Sequence, residues 1–452
     1  LYSSAASDVY KRQPIDRIAS QGVTFANAYV GCPLSQPSRA ALWSGLMPHQ
    51  TNVRSNSAEH INPPLPDSIP TLGSLFTANG YEAVHFGKTH DMGSLRGFRH
   101  KEPVAKPFTD PEFPVNNDSF LDVGTCEDAV AYLSNPPQEP FICIADFQNP
   151  HNICGYVGEN KGEHIDSPIS TPLPLLPENF EVEDWEKLPL PIQYICCSHR
   201  RMMQAAHWNE DNYRHYVAAF QHYTRIVARQ IESVLEALYS TPAGKNTIVI
   251  VLADHGDGMG SHRMVTKQVS FYEEMTNVPF IIAGPGIHPR QKPVEDLLTQ
   301  PTIDLLPTLC ELAGIPVPSS KPGISLAPFL KGEKQKRQHP YAASEWHSEY
   351  EVTVSPGRMI RSPRYKYTHY LEGNGEELYD MLKDKGERRN LAHDPKYSKI
   401  LAEHRALLDD YIRRTQDDYR SLKVEADKRW RSHAPGYPNH EGPCARDIIN
   451  RR

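Results

Sequence analysis

The chain has 452 residues, including 48 Lys or Arg and 55 Asp or Glu, so its formal net charge is −7. This charge argues against a nucleic-acid-binding protein or one held on an acidic membrane surface. The longest apolar runs fall far short of the ~18 residues that span a bilayer, and the 8 cysteines show no zinc-ribbon spacing. We expect no membrane span and roughly two to three domains.

The first 13 residues, LYSSAASDVYKRQ, lack the charged-then-apolar layout of a signal peptide. They resemble translated linker sequence, and a natural disordered arm is the alternative. Residues 1–13 are therefore left out of the fold prediction.

Helix and strand patterns alternate from residue 14 onward. Helices are predicted over residues 15–21, 37–43, 69–78, 211–238 and 302–313, and strands over residues 23–30, 81–86, 140–147 and 247–252. The strands are largely apolar, which is typical of strands that are buried on both faces. The pattern predicts an α/β fold in which a mostly parallel, mixed sheet is sandwiched by helices.

The pattern changes near residue 336. Short strands over residues 358–360, 365–370 and 377–380 and a helix over residues 398–413 predict a smaller α+β domain built on a short antiparallel sheet. The predicted domains are thus residues 14–335 and 336–452, with a polar tail from Lys423 that wraps loosely over the surface.

Four polar clusters each follow a predicted strand directly. They are Ser35 to Arg39, Lys88 with His90, His151, and Asp254-His255 with Lys267 on the next loop. Ligands of open α/β sheets bind beyond the carboxyl ends of the strands, so we expect these clusters to converge. One candidate nucleophile, several cations and an acidic ligand suit a tetrahedral oxyanion ester better than an acyl group.

Residues 35–39 (SQPSR) resemble the S-x-P-S-R signature of the type I sulfatase family, which belongs to the alkaline-phosphatase-like superfamily. Further matches follow in the family's order: Gly87-Lys88-Thr89-His90, with Thr89 where Trp is usual, then Asn149-Pro150-His151, then Asp254-His255-Gly256 with Lys267. The resemblance extends from about residue 14 to about residue 417 and implies an alkaline-phosphatase-like fold.

Cys32 is the competing candidate for the nucleophile, because the modified residue of the signature is cysteine in other family members. Leu34 and Gln36 stand where a signature built on Cys32 would need proline and arginine. Ser35 is therefore favoured.

The resemblance implies that a radical maturase of anaerobic bacteria converts Ser35 to formylglycine, whose hydrate attacks sulfur. A gem-diol suits this role because its second hydroxyl can later expel sulfate. The implied catalytic residues are Ser35, Arg39, Lys88, His90, His151 and Lys267. Arginine would hold the diol and the lysines would offset charge on the sulfate oxygens. His151 would protonate the leaving oxygen, and His90 would deprotonate the second diol oxygen.

Asp254, His255 and the modified Ser35 are implied to bind one divalent cation, Ca²⁺, which prefers hard oxygen ligands. Family members also carry an acidic pair on a strand upstream of the segment that matches Ile15, and this sequence has none there. We therefore expect that residues 1–13 replace the native N-terminus and first strand, and that the chain as given is impaired. Periplasmic location or export is the expectation on family grounds.

The predicted function is sulfuric ester hydrolysis on a sulfated carbohydrate such as a glycosaminoglycan, with that sugar and the maturase as partners. One alternative is a phosphatase or phosphodiesterase with unmodified Ser35 beside two zinc ions. Another is an inactive relative that binds sulfated glycan. The structural alternatives are that Ser35 caps a helix and that Lys88 and Lys267 are surface lysines. His262 is undecided between a site-lining and a structural role.

Overall fold

The computed structural model describes residues 13–56, 63–110, 115–161, 172–181, 187–198, 200–268, 270–335, 338–347 and 355–422. The expectations for residues 1–12 and for the tail from Lys423 concern segments outside these ranges. No helix within the described ranges is both long enough and apolar enough to cross a membrane.

The predicted helices and strands are all present, with bounds that differ by a few residues. The helices of the described residues are α1 (Gln13–Ser20), α2 (Ser35–Ser44), α3 (Pro48–Thr51), α4 (Leu72–Ala78), α5 (Asn117–Ser134), α6 (Ile153–Glu159), α7 (Leu190–Ser198), α8 (Arg200–Gln204), α9 (Glu210–Tyr239), α10 (Glu273–Thr276), α11 (Pro301–Leu312), α12 (Ala327–Leu330) and α13 (Ser398–Thr415). The strands are β1 (Gly22–Ala28), β2 (Glu82–Gly87), β3 (Arg99–Lys101), β4 (Phe141–Asp146), β5 (Val249–Leu252), β6 (Phe280–Ala283), β7 (Val294–Thr299), β8 (Ala342–Trp346), β9 (Gly357–Arg361), β10 (Tyr365–Tyr370) and β11 (Gly375–Asp380).

The strands of the larger unit form two sheets. One has the order β3-β2-β4, and all its strands are parallel. The other has the order β5-β6-β1-β7, in which β1 and β7 are parallel and β6 runs antiparallel to both of its neighbours. The prediction of an α/β fold with a mixed sheet is confirmed, and β6 is the strand that makes it mixed.

Helices cover both faces of the four-stranded sheet. On one face Leu42, Phe76 and Leu306, from α2, α4 and α11, pack in one apolar cluster with Phe25 and Phe280, whose rings stack with centroids 5.3 Å apart. On the opposite face α1 and α9 pack against β5 and β6. Burial of each large apolar side chain contributes about 1.5–3 kcal/mol to the stability of the fold. The packing of helices on both faces therefore stabilises the positions of the strand ends.

The edges of β4 and β5 line one cavity of about 2170 Å³. In the described part of the chain, β4 pairs only with β2 and β5 pairs only with β6. Side chains of α9 and α11 line the same cavity, so its other walls are largely apolar. We call the space between Phe141–Asp146 and Val249–Leu252 the strand slot. Unpaired backbone groups on both strand edges make it a place for an additional extended segment.

The smaller sheet is an antiparallel meander with the order β11-β10-β9-β8. Tyr367 in its centre is aligned with Ile360 on one side and Leu378 on the other. All three side chains belong to an apolar cluster that α13 completes with Leu401 and Leu408. An antiparallel sheet with one helix packed on it forms the C-terminal unit.

A buried ion network joins this C-terminal sheet to α3. His49 donates from Nδ1 to Glu345 Oε1 over 2.6 Å, and its Nε2 lies 3.1 Å from the carbonyl oxygen of Thr415. Because both ring nitrogens face acceptors, the ring is held as the imidazolium. Burial opposes this charge, but Glu345 outweighs it and raises the pKa of His49. Arg358 pairs with Asp417 in the same network, at 2.6 and 2.9 Å.

Ligand atoms of His49, Glu345 and Asp417 lie within 4.8 Å of one another, which is close enough to hold a metal ion. The two carboxylates are already balanced by the imidazolium and by the guanidinium of Arg358. The group is therefore neutral without a metal, and we interpret it as a link between the two units.

We expect His49→Gln to destabilise the fold by about 3–5 kcal/mol, because it leaves a buried carboxylate with less compensation. The contribution of His49 is fully present below the ordinary histidine pKa of about 6.5 and is lost as the pH rises through the raised pKa of the folded state. Stability of the unsubstituted protein should therefore fall on the alkaline side of about pH 7, and the variant should lack this fall. Thermal unfolding across this range measures both effects, and equal pH dependence in the two proteins would contradict the assignment.

Candidate active site

Polar side chains that follow several strands meet in the cavity that contains the strand slot. The lining residues include Arg39, Lys88, His151, Asp254, His255 and Lys267. The predicted convergence of the four clusters is therefore observed, as expected for the carboxyl ends of strands in an α/β sheet. Both lysines line this cavity rather than the outer surface.

Ser35 is the first residue of α2, and its side chain is buried. Its Oγ lies 2.8 Å from Nε2 of His255. Nδ1 of the same ring lies 2.7 Å from the carbonyl oxygen of Gly256, so Nδ1 carries the proton and Nε2 accepts from the Ser35 hydroxyl. Leu34 is the N-cap, which excludes the reading of Ser35 as a helix cap. Residue 35 instead lies at the positive end of the ten-residue helix, where developing negative charge is stabilised.

Arg39 holds the ends of two strands together. Its guanidinium bonds Asp146, the last residue of β4, and its Nη1 lies 3.2 Å from Oδ2 of Asp254 beyond β5. The backbone carbonyls of Lys88 and Thr89 accept two more of its N–H groups, each at 2.9 Å. One N–H on Nη1 is left for a ligand, which is compatible with the predicted contact to an oxygen on residue 35.

The positive groups shift one another's pKa values. Burial lowers the pKa of Lys88, and Arg39 and Lys267 add to this effect. Burial together with Lys88 and Arg39 lowers the pKa of His90 to about 4, so this ring is neutral near pH 7 and can accept a proton. Burial alone would raise the pKa of Asp254, but His255, Arg39 and Lys88 hold it well below its usual range. The cavity is therefore suited to an anionic ligand.

His151 lies on the loop after β4. Its Nδ1 is 3.0 Å from Oδ2 of Asp118 in the first turn of α5. Burial lowers the pKa of His151, Lys267 and Lys88 lower it further, and Asp118 opposes them.

Packing explains the roles of Cys32 and His262, the two candidate residues whose roles the sequence leaves open. Cys32 lies in an apolar cluster with Tyr29 and Leu34, and burial raises its pKa far above the usual range, so it is not a nucleophile of this site. His262 stacks on Tyr272 with ring centroids 3.9 Å apart, and its side chain is buried. Its role is structural.

Sequence reasoning did not single out three carboxylates of the site, Asp118, Asp122 and Asp146. Asp146 is the last residue of the apolar strand β4, and Asp254 lies just beyond the end of β5. This shared position at a strand end is the sequence signal that could have identified Asp146. Asp118 and Asp122 lie one helical turn apart near the start of α5, which is a weak signal because such pairs are common on exposed helix faces.

Asp254, His255 and residue 35 fit a divalent cation as part of its ligand set. They offer a carboxylate, a neutral imidazole nitrogen and an oxygen that lies 2.8 Å from that nitrogen. Calcium takes about six to eight oxygen ligands, so this set covers only part of its shell. Within the described ranges, the one group of three or more His, Cys, Asp or Glu side chains whose ligand atoms all lie within 4.8 Å of one another is the ion network at His49.

Two family models match the chain. The model described as Sulfatase matches residues 4–315. The model described as N-sulphoglucosamine sulphohydrolase, C-terminal, matches residues 260–414. Together they span both the larger unit and the C-terminal sheet.

A protein of Bacteroides thetaiotaomicron described as Delta 4,5-hexuronate-2-O-sulfatase is 78% identical over 439 residues, which are 97% of this chain and 91% of that protein. Human arylsulfatase K is 27% identical over 419 residues, which are 85% of this chain and 75% of that protein.

A solved 2-O GAG (glycosaminoglycan) sulfatase matches with a TM-score of 0.93 at 78% identity and covers 97% of this chain and 95% of that chain. A more distant structure, bound to D-glucosamine-2-N,6-O-disulfate, has a TM-score of 0.72 at 20% identity, covers 91% of this chain and 94% of that chain, and is alike in fold.

Proposed function

The chain belongs to the sulfatase family, and on that premise we propose that it removes a 2-O-sulfate group from a hexuronate residue of a glycosaminoglycan-derived sugar. It is a sulfuric ester hydrolase that acts on sulfated carbohydrate. The choice of sugar position rests on the high identity to the hexuronate-2-O-sulfatase along nearly the whole chain.

The lining of the cavity supports an acidic sugar as the substrate. Lys383, Lys385 and Arg388, on the loop after β11, line the same cavity as Lys267. A hexuronate carries a carboxylate in addition to its sulfate, and positive side chains at both ends of a site would attract the two groups. The C-terminal unit would thus contribute to substrate choice.

The roles proposed for the site residues follow from their positions. Formylglycine at residue 35 would supply a hydrated aldehyde oxygen as the nucleophile. Lys88 and Lys267 would offset charge on the sulfate oxygens, and His151 would protonate the leaving sugar oxygen. His90 is neutral near pH 7 and would accept a proton from the second hydroxyl group.

We expect Ser35 to be converted to formylglycine when the chain is made together with a radical maturase. Ser35→Ala should abolish turnover and leave the melting temperature nearly unchanged, because the nucleophile is lost without a change of fold. Ser44→Ala, in the same helix and also buried, is the matched control and should keep both modification and activity. Peptide mass spectrometry reads the conversion, and unmodified serine in an active preparation would disprove it.

We expect Lys267→Ala to lower kcat/KM for a 2-O-sulfated hexuronate disaccharide by about 10²-fold or more, the usual effect of losing a charge that stabilises the transition state. Lys101→Ala is the control, because that side chain is exposed and pairs with Asp128 away from the predicted site residues. Steady-state kinetics and thermal unfolding measure the outcome. A comparable loss in Lys101→Ala, or a large fall in melting temperature, would show that the charge acts on the fold.

We further propose that the missing calcium ligands come from an extended segment in the strand slot. Arg39 bonds both Asp146 and Asp254, so β4 and β5 present their carboxyl ends to the same place. A strand between them that runs in the same direction would deliver its last residues beside Asp254. Asp254 alone supplies the formal negative charge of the present ligand set, and two further carboxylates would bring it to three. A divalent cation held there would polarise the sulfate ester.

We expect the chain as given to bind calcium weakly, and an N-terminal extension with an apolar strand that ends in two aspartates to tighten binding by orders of magnitude, since calcium affinity rises with ligand charge. The same extension with two asparagines is the matched control and should restore strand pairing without the affinity. Calorimetric calcium titration compares the three proteins. Sub-micromolar binding by residues 14–452 alone would show that other oxygens complete the site.

A further inference from the structure

We propose that Asp118 is the positioning residue that directs Nε2 of His151 toward the sugar oxygen that leaves and strengthens the affinity of the ring for its proton. This inference rests on the proposed function, because it concerns the proton delivered to that oxygen. It gives a residue in the first turn of α5 a role in the reaction.

The geometry fixes which nitrogen faces the substrate. Neighbouring positive groups and the contact with His151 hold the pKa of Asp118 below its usual value despite burial, so its carboxylate is ionised and accepts only. His151 therefore donates from Nδ1 to Oδ2 of Asp118 over 3.0 Å. Nε2 has no hydrogen-bond partner among the described residues, and the ring lines the cavity together with Lys267. The free nitrogen is thus available for the ester.

The contact that orients the His151 ring is separate from the contacts that fix the backbone of the loop after β4. Asp122 accepts the backbone N–H groups of Gln148 and Asn149 at 2.5 and 2.9 Å. Ser119 accepts from the side-chain amides of Asn149 and Asn152. One face of α5 therefore anchors the backbone of the loop through Ser119 and Asp122. Among the described residues, Asp118 bonds the imidazole of His151 and no backbone group of that loop.

The charges around the ring make this contact necessary. Lys88 and Lys267 face His151 across the cavity and, with burial, favour its neutral form. Asp118 acts in the opposite direction, both by its charge and by its hydrogen bond. Without this carboxylate, a ring beside two lysines would lose its proton at a still lower pH, so a smaller fraction of it would be in the acid form at working pH.

The proposed step balances as follows. The hydrate oxygen at residue 35 attacks in its ionised form, after its proton has passed to solvent, and forms a bond to sulfur while the bridging S–O bond breaks. The electron pair of that bond stays on the sugar oxygen, which takes the Nε2 proton of His151 and leaves as an alcohol. The ring becomes neutral and keeps its other proton on Nδ1, in the hydrogen bond to Asp118.

The test uses Asp118→Asn, which keeps the size of the side chain and an acceptor oxygen but removes the charge. In protein matured at residue 35 and supplied with calcium, we expect kcat for a 2-O-sulfated hexuronate disaccharide to fall by about 10- to 100-fold with little change in KM. The alkaline limb of the pH profile should move to lower pH, because His151 must be protonated to act. The melting temperature should change little.

A double-mutant cycle separates action through His151 from a structural effect. In a His151→Ala background, the added Asp118→Asn change should cost less than about 2-fold, because the group it acts on is gone. Asp128→Asn is the matched control: it removes the same charge from the same helix, where that side chain pairs with Lys101. It should leave kcat and the pH profile unchanged.

Titration of the ¹⁵N-labelled histidine rings by NMR measures the pKa of His151 without turnover. We expect a lower pKa in Asp118→Asn than in the unsubstituted protein. An unchanged pKa, or an equal loss of activity with and without His151, would overturn the proposal. If the unsubstituted protein releases no sulfate from the disaccharide, the proposed substrate is wrong, while the NMR titration still decides the role of Asp118.

Discussion

The bridge that Arg39 makes between Asp146 and Asp254 is the interaction on which the site depends. It joins the carboxyl ends of β4 and β5, two strands that belong to different sheets. The planar guanidinium is suited to this task because it offers five donors in a fixed arrangement, whereas lysine offers a single point charge. Arg39 lies on the same short helix as Ser35, so the bridge also fixes the nucleophilic position relative to both sheets.

The same bridge determines the charge of the cavity. The charge of Arg39 is more than balanced by its two carboxylates, and Lys88 and Lys267 add two positive charges in the same cavity. The repulsion between the two lysines is unfavourable and would be offset by a bound sulfate group. The histidines adapt to this field in two ways. His90 is held neutral, and His151 keeps a carboxylate partner that opposes the lysines. The two imidazoles are thereby suited to opposite proton transfers.

Much of this arrangement could be predicted from local sequence. Apolar runs that end in polar residues marked the strand ends, and strand ends converge in an α/β sheet, so Ser35, Lys88 and Asp254 could be grouped in advance. The start of α2 was placed at Pro37, because proline is favoured in the first turn of a helix. In the structure the helix begins at Ser35, since Leu34 is the last extended residue, with φ −144° and ψ 138°. The roles assigned by family resemblance stay predictions for each residue.

The sequence by itself determined the elements, the family and the residues that follow the strands, because these depend on near neighbours along the chain. Only the tertiary structure decided which side chains form hydrogen bonds and ion pairs with one another. Asp146 is separated from Arg39 by 107 positions, and Asp118 is separated from His151 by 33. The stacking of His262 on Tyr272 is likewise invisible in the sequence. Hydrogen bonds and ion pairs depend on distance in space, and that distance is set only once the helices have packed on the sheets.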